Sequence, residues 1–500
     1  MTKLEVLKSL SFGDRIAENE AASLEKYFVN TDQWEKIFNG EVDIIYGPKG
    51  SGKSAIYAAL SNRENDLLER KILLSTAENP RGTAAFKSIV PDPPTSEEEF
   101  NFLWKLYFLM LIGWLFRDQG ILNSHSKSVI SFLEGSGLLP RERNLVGFIK
   151  DAFDYVKNNL KLEALEGTLN VDKVSGLATG ITGKISLREP NASEKSKGFI
   201  SIDGLIDLCE KSFSEADFNL WILLDRLDVA FAESGDLEEN ALRSLFKVYL
   251  DFLKYDRIKL KIFLRTDIMQ KITKKGLREA SHITKHVTIT WKEETLLNLV
   301  IKRIIQNQKL VSFYNVDIEE CLSSLNKQSE LFYRIFPQKV EAGDRKTDTF
   351  KWIMTRTVDG SKKFAPRELI HLLTSSTSKQ ITRFETGLPE PPEEYLYVGY
   401  AFKEGLEEVS EVRLNQTLLP EYPQFRTLIL KLKEQRTRQT RLNLSELWKT
   451  DPEETDSNIK ALIEIGLFEA RNIKGDEYFW IPFIYRDALG MIQGTAELDD

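Results

Sequence analysis

The chain has 500 residues, 42% hydrophobic and 29% charged, enough to bury more than one core without staples. Its net charge of −8 excludes a global attraction to nucleic acid and leaves that role to local patches. Two distant cysteines, Cys209 and Cys321, and four scattered histidines exclude a disulfide framework and a zinc site, and read as those of a cytoplasmic protein.

Residues 1–40 carry helical, amphipathic periodicity, and the charges interleaved through Met1 to Asn30 do not make a signal peptide. Glu41 to Tyr46 reads as a short strand that ends on Gly47, and Ser54 to Leu60 as a helix. A second strand is predicted over Lys71 to Ser75, closed by the turn-rich Glu78 to Gly82. From 92 to 163 the pattern is helical, with a break over Gly135 to Pro140. Within it, Phe102 to Phe116 is too short for the ~20 apolar residues of a membrane span and contains Lys105. It reads as a buried helix, or one that packs on a partner, so no membrane is expected. Residues 167–198, punctuated by glycines, read as a flexible β-hairpin insertion. Then follow a helix from Ile202, an apolar strand Leu220 to Leu224, a helix over Leu237 to Leu253 and a strand over Ile258 to Leu264. Trp291 to Gln306 is again helical, and the proline-rich stretch Gly387 to Pro392 reads as a linker. Helices around 424–434, 444–449 and 456–465, then two strand-like runs, Leu467 to Asn472 and Tyr478 to Ile484, give the order of a winged helix-turn-helix.

Gly47-Pro48-Lys49-Gly50-Ser51-Gly52-Lys53-Ser54 matches the phosphate-loop pattern G-x-x-x-x-G-K-[ST] in full. The glycines let successive backbone N–H groups turn inward to cradle a β-phosphate. Lys53 then reaches the β- and γ-phosphates, Ser54 ligates magnesium, and the following helix points its positive end at the anion. An apolar strand before the motif and a helix after it supply the required context. ATP and Mg2+ are therefore the expected ligands. The site needs an acid at the end of a neighbouring buried strand, and Asp225 after Leu220 to Leu224 fits that role. Where many such ATPases place a glutamate next, this chain has Arg226; Asp228 could orient the attacking water, or simply cap a helix. Arg265, at the end of the strand Ile258 to Leu264, could sense the γ-phosphate or carry the ordinary polarity of a strand end. Arg243 and Arg257 are candidates for acting in trans on a neighbouring subunit.

In this order the chain resembles the AAA+/STAND branch of P-loop ATPases. The resemblance runs from Arg15-Ile16-Ala17-Glu18 through the phosphate loop and Leu223-Leu224-Asp225-Arg226-Leu227-Asp228 to Phe263-Leu264-Arg265-Thr266-Asp267, then a helical lid and a winged helix. More narrowly, Phe12 to Glu20 together with Ile45 to Ser54 is similar to the bacterial P-loop ATPases of the Sll1717 family. The resemblance implies that Arg15 and Ile16 lie near the adenine. It also implies that Arg367, in Phe364-Ala365-Pro366-Arg367-Glu368-Leu369, reaches over the nucleotide from the lid; a helix-capping role is the alternative. It implies self-assembly and an effector partner, with bacterial antiviral defence as the setting. Some 170 residues separate Lys53 from Asp225, so a stretch from about 85 to 200 reads as an insertion into a minimal core.

Lys431 to Arg441 holds five basic residues and one acid, which on a winged helix could contact DNA phosphates or form a solvated helix end and loop. The acids Glu446, Asp451, Glu453, Glu454 and Asp456 that follow would repel a nucleic-acid backbone, so a protein contact is preferred. The expected fold is thus α/β: a P-loop NTPase core over 1–290 with its insertion, a helical lid over 291–386 and a winged helix over 393–500. The expected function is an ATP-binding and -hydrolysing regulatory ATPase, a homo-oligomer that couples nucleotide state to self-assembly or to an effector. The alternative is a DNA-binding ATPase of the Orc/Cdc6 initiator or loader type.

Overall fold

The computed structural model describes residues 1–14, 20, 24–77, 94, 96–168, 184–227, 235–274, 278–392, 394–473 and 475–496. The chain divides into two compact units. A sheet unit comprises Asp32–Gly47 and Lys53–Ile289; a helical unit comprises Met1–Thr31, Pro48–Gly52 and Thr290–Asp500.

The strands of the sheet unit are β1 (Ile44–Gly47), β2 (Ile72–Thr76), β3 (Lys184–Ser186), β4 (Phe199–Ser201), β5 (Asn219–Leu224), β6 (Ile258–Arg265) and β7 (His286–Thr288). Five of them form one sheet in the order β2-β5-β6-β1-β7, and every neighbouring pair is parallel. Strands covered on both faces read as continuous apolar runs, and β1 and the last five residues of β5 are buried throughout. β6 lies between β1 and β5, with Gly47 opposite Arg265 and Leu224 opposite Ile262. This register brings the carboxyl ends of all three strands to one edge, where open α/β sheets bind ligands.

The Glu97–Asp118 helix is long and apolar enough to cross a bilayer, yet most of its side chains are buried inside this unit. Phe108 meets Phe252 edge-on, Phe116 packs on Phe213, and Trp104 Nε1 donates to the Ala241 carbonyl at 2.9 Å. Ser96 caps its start, with Glu97, Glu98 and Glu99 in the first turn to complement the helix dipole. Lys105 is accommodated by two carboxylates, Asp203 at 2.9 Å and Asp251 at 2.8 Å. Burial opposes its charge, but these partners outweigh it and hold the ammonium above its ordinary pKa.

Of the hairpin insertion expected over 167–198, residues 169–183 lie outside the described residues. β3 and β4 pair in parallel, joined across the Ala192–Ser196 helix. A parallel pair needs a crossover, and this short helix supplies it. At the other end of the central sheet Lys261, fully buried, donates to Asp43 Oδ1 at 2.9 Å and sits 4.4 Å from the Trp221 ring centre.

In the helical unit, the Pro366–Glu385 helix packs against Gly399–Arg413. The latter runs into a five-residue π-helical turn, Leu414–Leu418, and a short helix, Leu419–Glu421. The C-terminal part follows the order helix (Arg426–Leu430), β8 (Arg436–Gln439), helix (Arg441–Trp448), helix (Pro452–Glu464), β9 (Glu469–Ile473), β10 (Asp476–Trp480). That is a winged helix, extended by β11 (Ile492–Thr495), which pairs with β8 in parallel. Asp451 caps the third helix by accepting from Glu454 N at 2.9 Å, and Gly466, at φ +79°, ends it. Within the basic segment Lys431 to Arg441, Arg436–Gln439 forms strand β8.

Candidate nucleotide site

In the sheet unit, Gly47 closes β1 and Lys53 opens the Lys53–Asn62 helix, so Lys53 and Ser54 occupy its first turn. Lys53 Nζ donates to the Gly47 carbonyl at 2.9 Å, which folds the side chain back along the phosphate loop. Asp225 follows β5 directly and is only 6% exposed. Arg226, in the position where a catalytic glutamate is common, adopts a left-handed backbone at φ +59°. For a non-glycine residue this carries strain of order 1 kcal/mol, and such strain clusters at functional sites. Asp228, Arg15 and Ile16 lie outside the described residues.

Arg265 is engaged by Asp267, Nε to Oδ1 at 3.1 Å and Nη2 to Oδ2 at 2.7 Å. Burial opposes the Asp267 charge, but Arg265 holds the carboxyl below its ordinary pKa, and Lys53 adds to the effect. The neighbouring Thr266 hydroxyl is buried and has no hydrogen-bond partner among the described residues. Sequence reasoning chose the arginine for its charge and passed over this threonine. The signal was available, since both residues sit at the tip of the strand next to the phosphate-loop strand. Arg257 forms a bridge to Asp217 at 3.3 Å, and Arg243 pairs with Glu239 one helical turn earlier, so the described structure commits both within this chain.

In the helical unit, three successive loop residues are each held by a different element. Lys49 pairs with Glu421. Gly50, at φ +78°, lies so close to Arg367 that a Cβ there would sit 2.9 Å from the Arg367 Cβ and 3.3 Å from Glu368 Oε2. Only glycine fits both the backbone and the space. The Ser51 carbonyl accepts from Trp291 Nε1 at 2.8 Å, while the Ser51 hydroxyl, 1% exposed as a residue, has no hydrogen-bond partner among the described residues. Arg367 thus stands against the phosphate loop at the start of its helix. Glu421, Glu368 and Trp291 were not legible as site residues, because each reaches the loop only through tertiary folding.

Within the sheet unit, Gly47 at the end of β1, a lysine and a serine at the head of a helix and a buried acid at the tip of β5 suit a nucleoside triphosphate and its magnesium. Among the described residues no group of three His, Cys, Asp or Glu side chains forms a cage of its own. Such a magnesium would therefore rest on Ser54, Asp225, water and phosphate oxygens, the usual mixed set for this ion. The strand order and the phosphate loop decide the fold. It is an AAA+-type P-loop NTPase fold.

No family model matches the chain, and no curated protein matches it. Among solved structures it is similar to the Aeropyrum pernix ORC1 protein in complex with DNA: 11% identity, 92% of this chain, 93% of the other, TM-score 0.34. It is also similar to the Aeropyrum pernix ORC2 protein in its ADPNP-ADP complexes: 12% identity, 94% and 90% coverage, TM-score 0.37. For the ADP form of that protein the values are 11%, 95%, 91% and 0.31. At such values the fold assignment rests on the strand order and the loop.

The winged helix has a mixed surface. The exposed positions of its third helix include Glu453, Glu454, Ser457, Lys460 and Glu464. The basic segment is largely spoken for: Lys431 donates to the Trp448 carbonyl at 3.0 Å and Arg436 to that of Gln493 at 3.3 Å. Arg438 stacks on Tyr478 and Trp480, and Arg441 bridges Asp456 at 2.9 Å.

Proposed function

We propose that the chain is a regulatory ATPase that binds ATP and magnesium at Gly47 to Ser54, hydrolyses the nucleotide, and uses its nucleotide state to control self-assembly or a protein effector. The observation that carries the reading is the convergence of Gly47, Asp225 and the Arg265–Thr266 tip on one edge of a parallel sheet. Magnesium, when bound, would neutralise charge between the β- and γ-phosphates. The loop N–H groups and Lys53 bind and orient the phosphates for in-line attack by water. Ser54 and Asp225 hold the metal, Asp228 orients the water, and Arg265 with Thr266 faces the γ-phosphate. Arg367 closes over the nucleotide from the lid at 291–386, and Arg15 and Ile16 contact the adenine. The winged helix at 393–500 meets the effector, in a setting of bacterial antiviral defence.

Lys53→Ala tests the site: binding of a fluorescent ATP analogue and phosphate release should both be lost, whereas wild-type affinity in the variant would refute the assignment. A single-turnover assay on Asp228→Asn tests the water-orienting role, and an unchanged rate removes it.

A second reading, a DNA-acting ATPase of the Orc/Cdc6 kind, is favoured by one observation, the helix-strand-helix-helix-strand-strand order of the winged helix. Against it stand the acidic third helix and the internal partners of Lys431, Arg436, Arg438 and Arg441. Duplex DNA is expected to leave turnover unchanged. Salt-dependent stimulation that disappears on replacing Arg436, Arg438 and Arg441 would establish the second reading instead.

A further inference from the structure

Arg413 ends the Gly399–Arg413 helix with its side chain 13% exposed. A buried guanidinium is costly unless carboxylates pair with it closely. Here Nη1 donates to Glu368 at 2.9 Å, Nη2 to Asp359 at 2.9 Å, and Nε to the Tyr485 hydroxyl at 3.4 Å. The two carboxylates belong to different parts of the helical unit, and each leads somewhere else.

Glu368 follows Arg367 and lies against Gly50 of the phosphate loop. Beyond Arg413 the chain passes through the π-helical turn to Glu421, which pairs with Lys49. Two routes therefore run from the end of one helix to adjacent residues of the loop. On its other side, Asp359 opens a tight segment that grips the winged helix. Its carboxylate lies within about 3 Å of where a Cβ on Gly466 would fall, and Gly360 N donates to the Gly466 carbonyl at 2.7 Å. Lys362 bridges Glu469 of β9 at 2.7 Å. A Cβ on Gly360 would come to 2.2 Å from the Phe468 carbonyl oxygen, so this backbone contact has no slack. The gripped turn joins the third helix of the winged domain to its wing.

We propose that Arg413 is a positioning residue that links the phosphate loop to the winged helix, so that nucleotide entering the loop alters how the winged helix is presented to its partner. The proposal rests on the reading that Gly47 to Ser54 bind nucleotide. Phosphate drawing on the backbone of Lys49 to Ser51 shifts the loop against Glu368 and Glu421. Arg413 cannot follow one carboxylate without loading the other, and the strain reaches the turn at Gly466 through Asp359. Contact alone does not establish coupling, which requires an element that both sites bias; the helix end at Arg413 is that element.

The test uses the full chain with magnesium and a non-hydrolysable ATP analogue. Hydrogen exchange is followed in peptides covering 452–480, alongside nucleotide affinity and melting temperature. In the wild type, nucleotide should change exchange in these peptides by roughly tenfold, within the usual range of coupling between sites. Arg413→Met should keep nucleotide affinity within about tenfold and lose that response, with Arg413→Lys restoring part of it. Should Arg413→Met fail to fold, Asp359→Asn keeps the Glu368 pair, leaves nucleotide binding unchanged and should still lose the response. A variant that melts lower but keeps the full response makes Arg413 merely structural and overturns the proposal. So does a wild-type chain that binds nucleotide with no change over 452–480. A wild-type chain that binds no nucleotide removes the proposed function itself, and the relay with it.

Discussion

Each unit buries a cation, but the two are buried in different company. Lys261 and Asp43 belong to neighbouring segments of one parallel sheet, locked in register by Ile44 opposite Ile262, and Trp221 covers the ammonium. Arg413 instead ties a helix end to the start of a second helix and to a loop. A charge pair inside one hydrogen-bonded layer has a single arrangement and can only stabilise it. A cation shared between carboxylates of separate elements joins those elements to each other. The sheet unit thus fixes residues within one layer, and the helical unit ties together elements far apart in the chain, Lys49 and Glu421 among them.

The largest expected effect breaks the first half of this contrast. Asp43→Ala leaves Lys261 buried without its carboxylate and should cost about 3–5 kcal/mol in urea unfolding, while the folded fraction keeps its nucleotide affinity. Replacing both residues by apolar ones should recover most of that loss. Next, Thr266→Val removes a hydroxyl that has no partner among the described residues, so melting should be unchanged or slightly raised. Turnover should fall about tenfold, equivalent to about 1.4 kcal/mol of barrier. An unchanged rate would take Thr266 out of the site. Glu421→Gln weakens the tie to Lys49: it should lower stability by no more than about 1 kcal/mol and strengthen ATP binding about threefold as Lys49 is released towards an anion. Titration of the analogue at low salt would show it.

The smallest effect depends on pH. Asp267 has a folded pKa below its ordinary 3.8, so the stability it adds is complete above that value and is lost as pH falls through the depressed one. Its side chain is 43% exposed, so solvent screening limits the contribution to about 0.5 kcal/mol. Asp267→Asn should therefore lower the melting temperature at pH 7, by an amount that shrinks as pH falls below the ordinary carboxylate range.

The parts of the molecule read correctly from the residues are those built from local order. The phosphate loop, the apolar runs of β1, β2, β5 and β6 and the buried helix around Phe102 to Phe116 all announce themselves within a few residues. What escaped depends on distant partners. Lys49 and Glu421 are 372 positions apart, and no periodicity connects them. β8 hid inside a basic run because Arg436 and Arg438 alternate with Thr437 and Gln439, a polar strand whose inward face is not hydrophobic. The parallel pairing of β3 and β4 escaped for a related reason: only the intervening helix makes a crossover possible.

The π-helical turn at Leu414–Leu418 also makes chain length an angular setting. Each residue of an α-helix turns the chain by about 100°, and a π turn accommodates one residue more than its α counterpart. Deleting a single residue there would let the helix close into regular α form with Glu421 on nearly the same side, whereas deleting one from the preceding α-helix would turn Glu421 by about 100° away from Lys49. The turn is therefore the one place in this helix where a residue can be gained or lost without moving Glu421 off Lys49, and a length change on either side of it would break that pair.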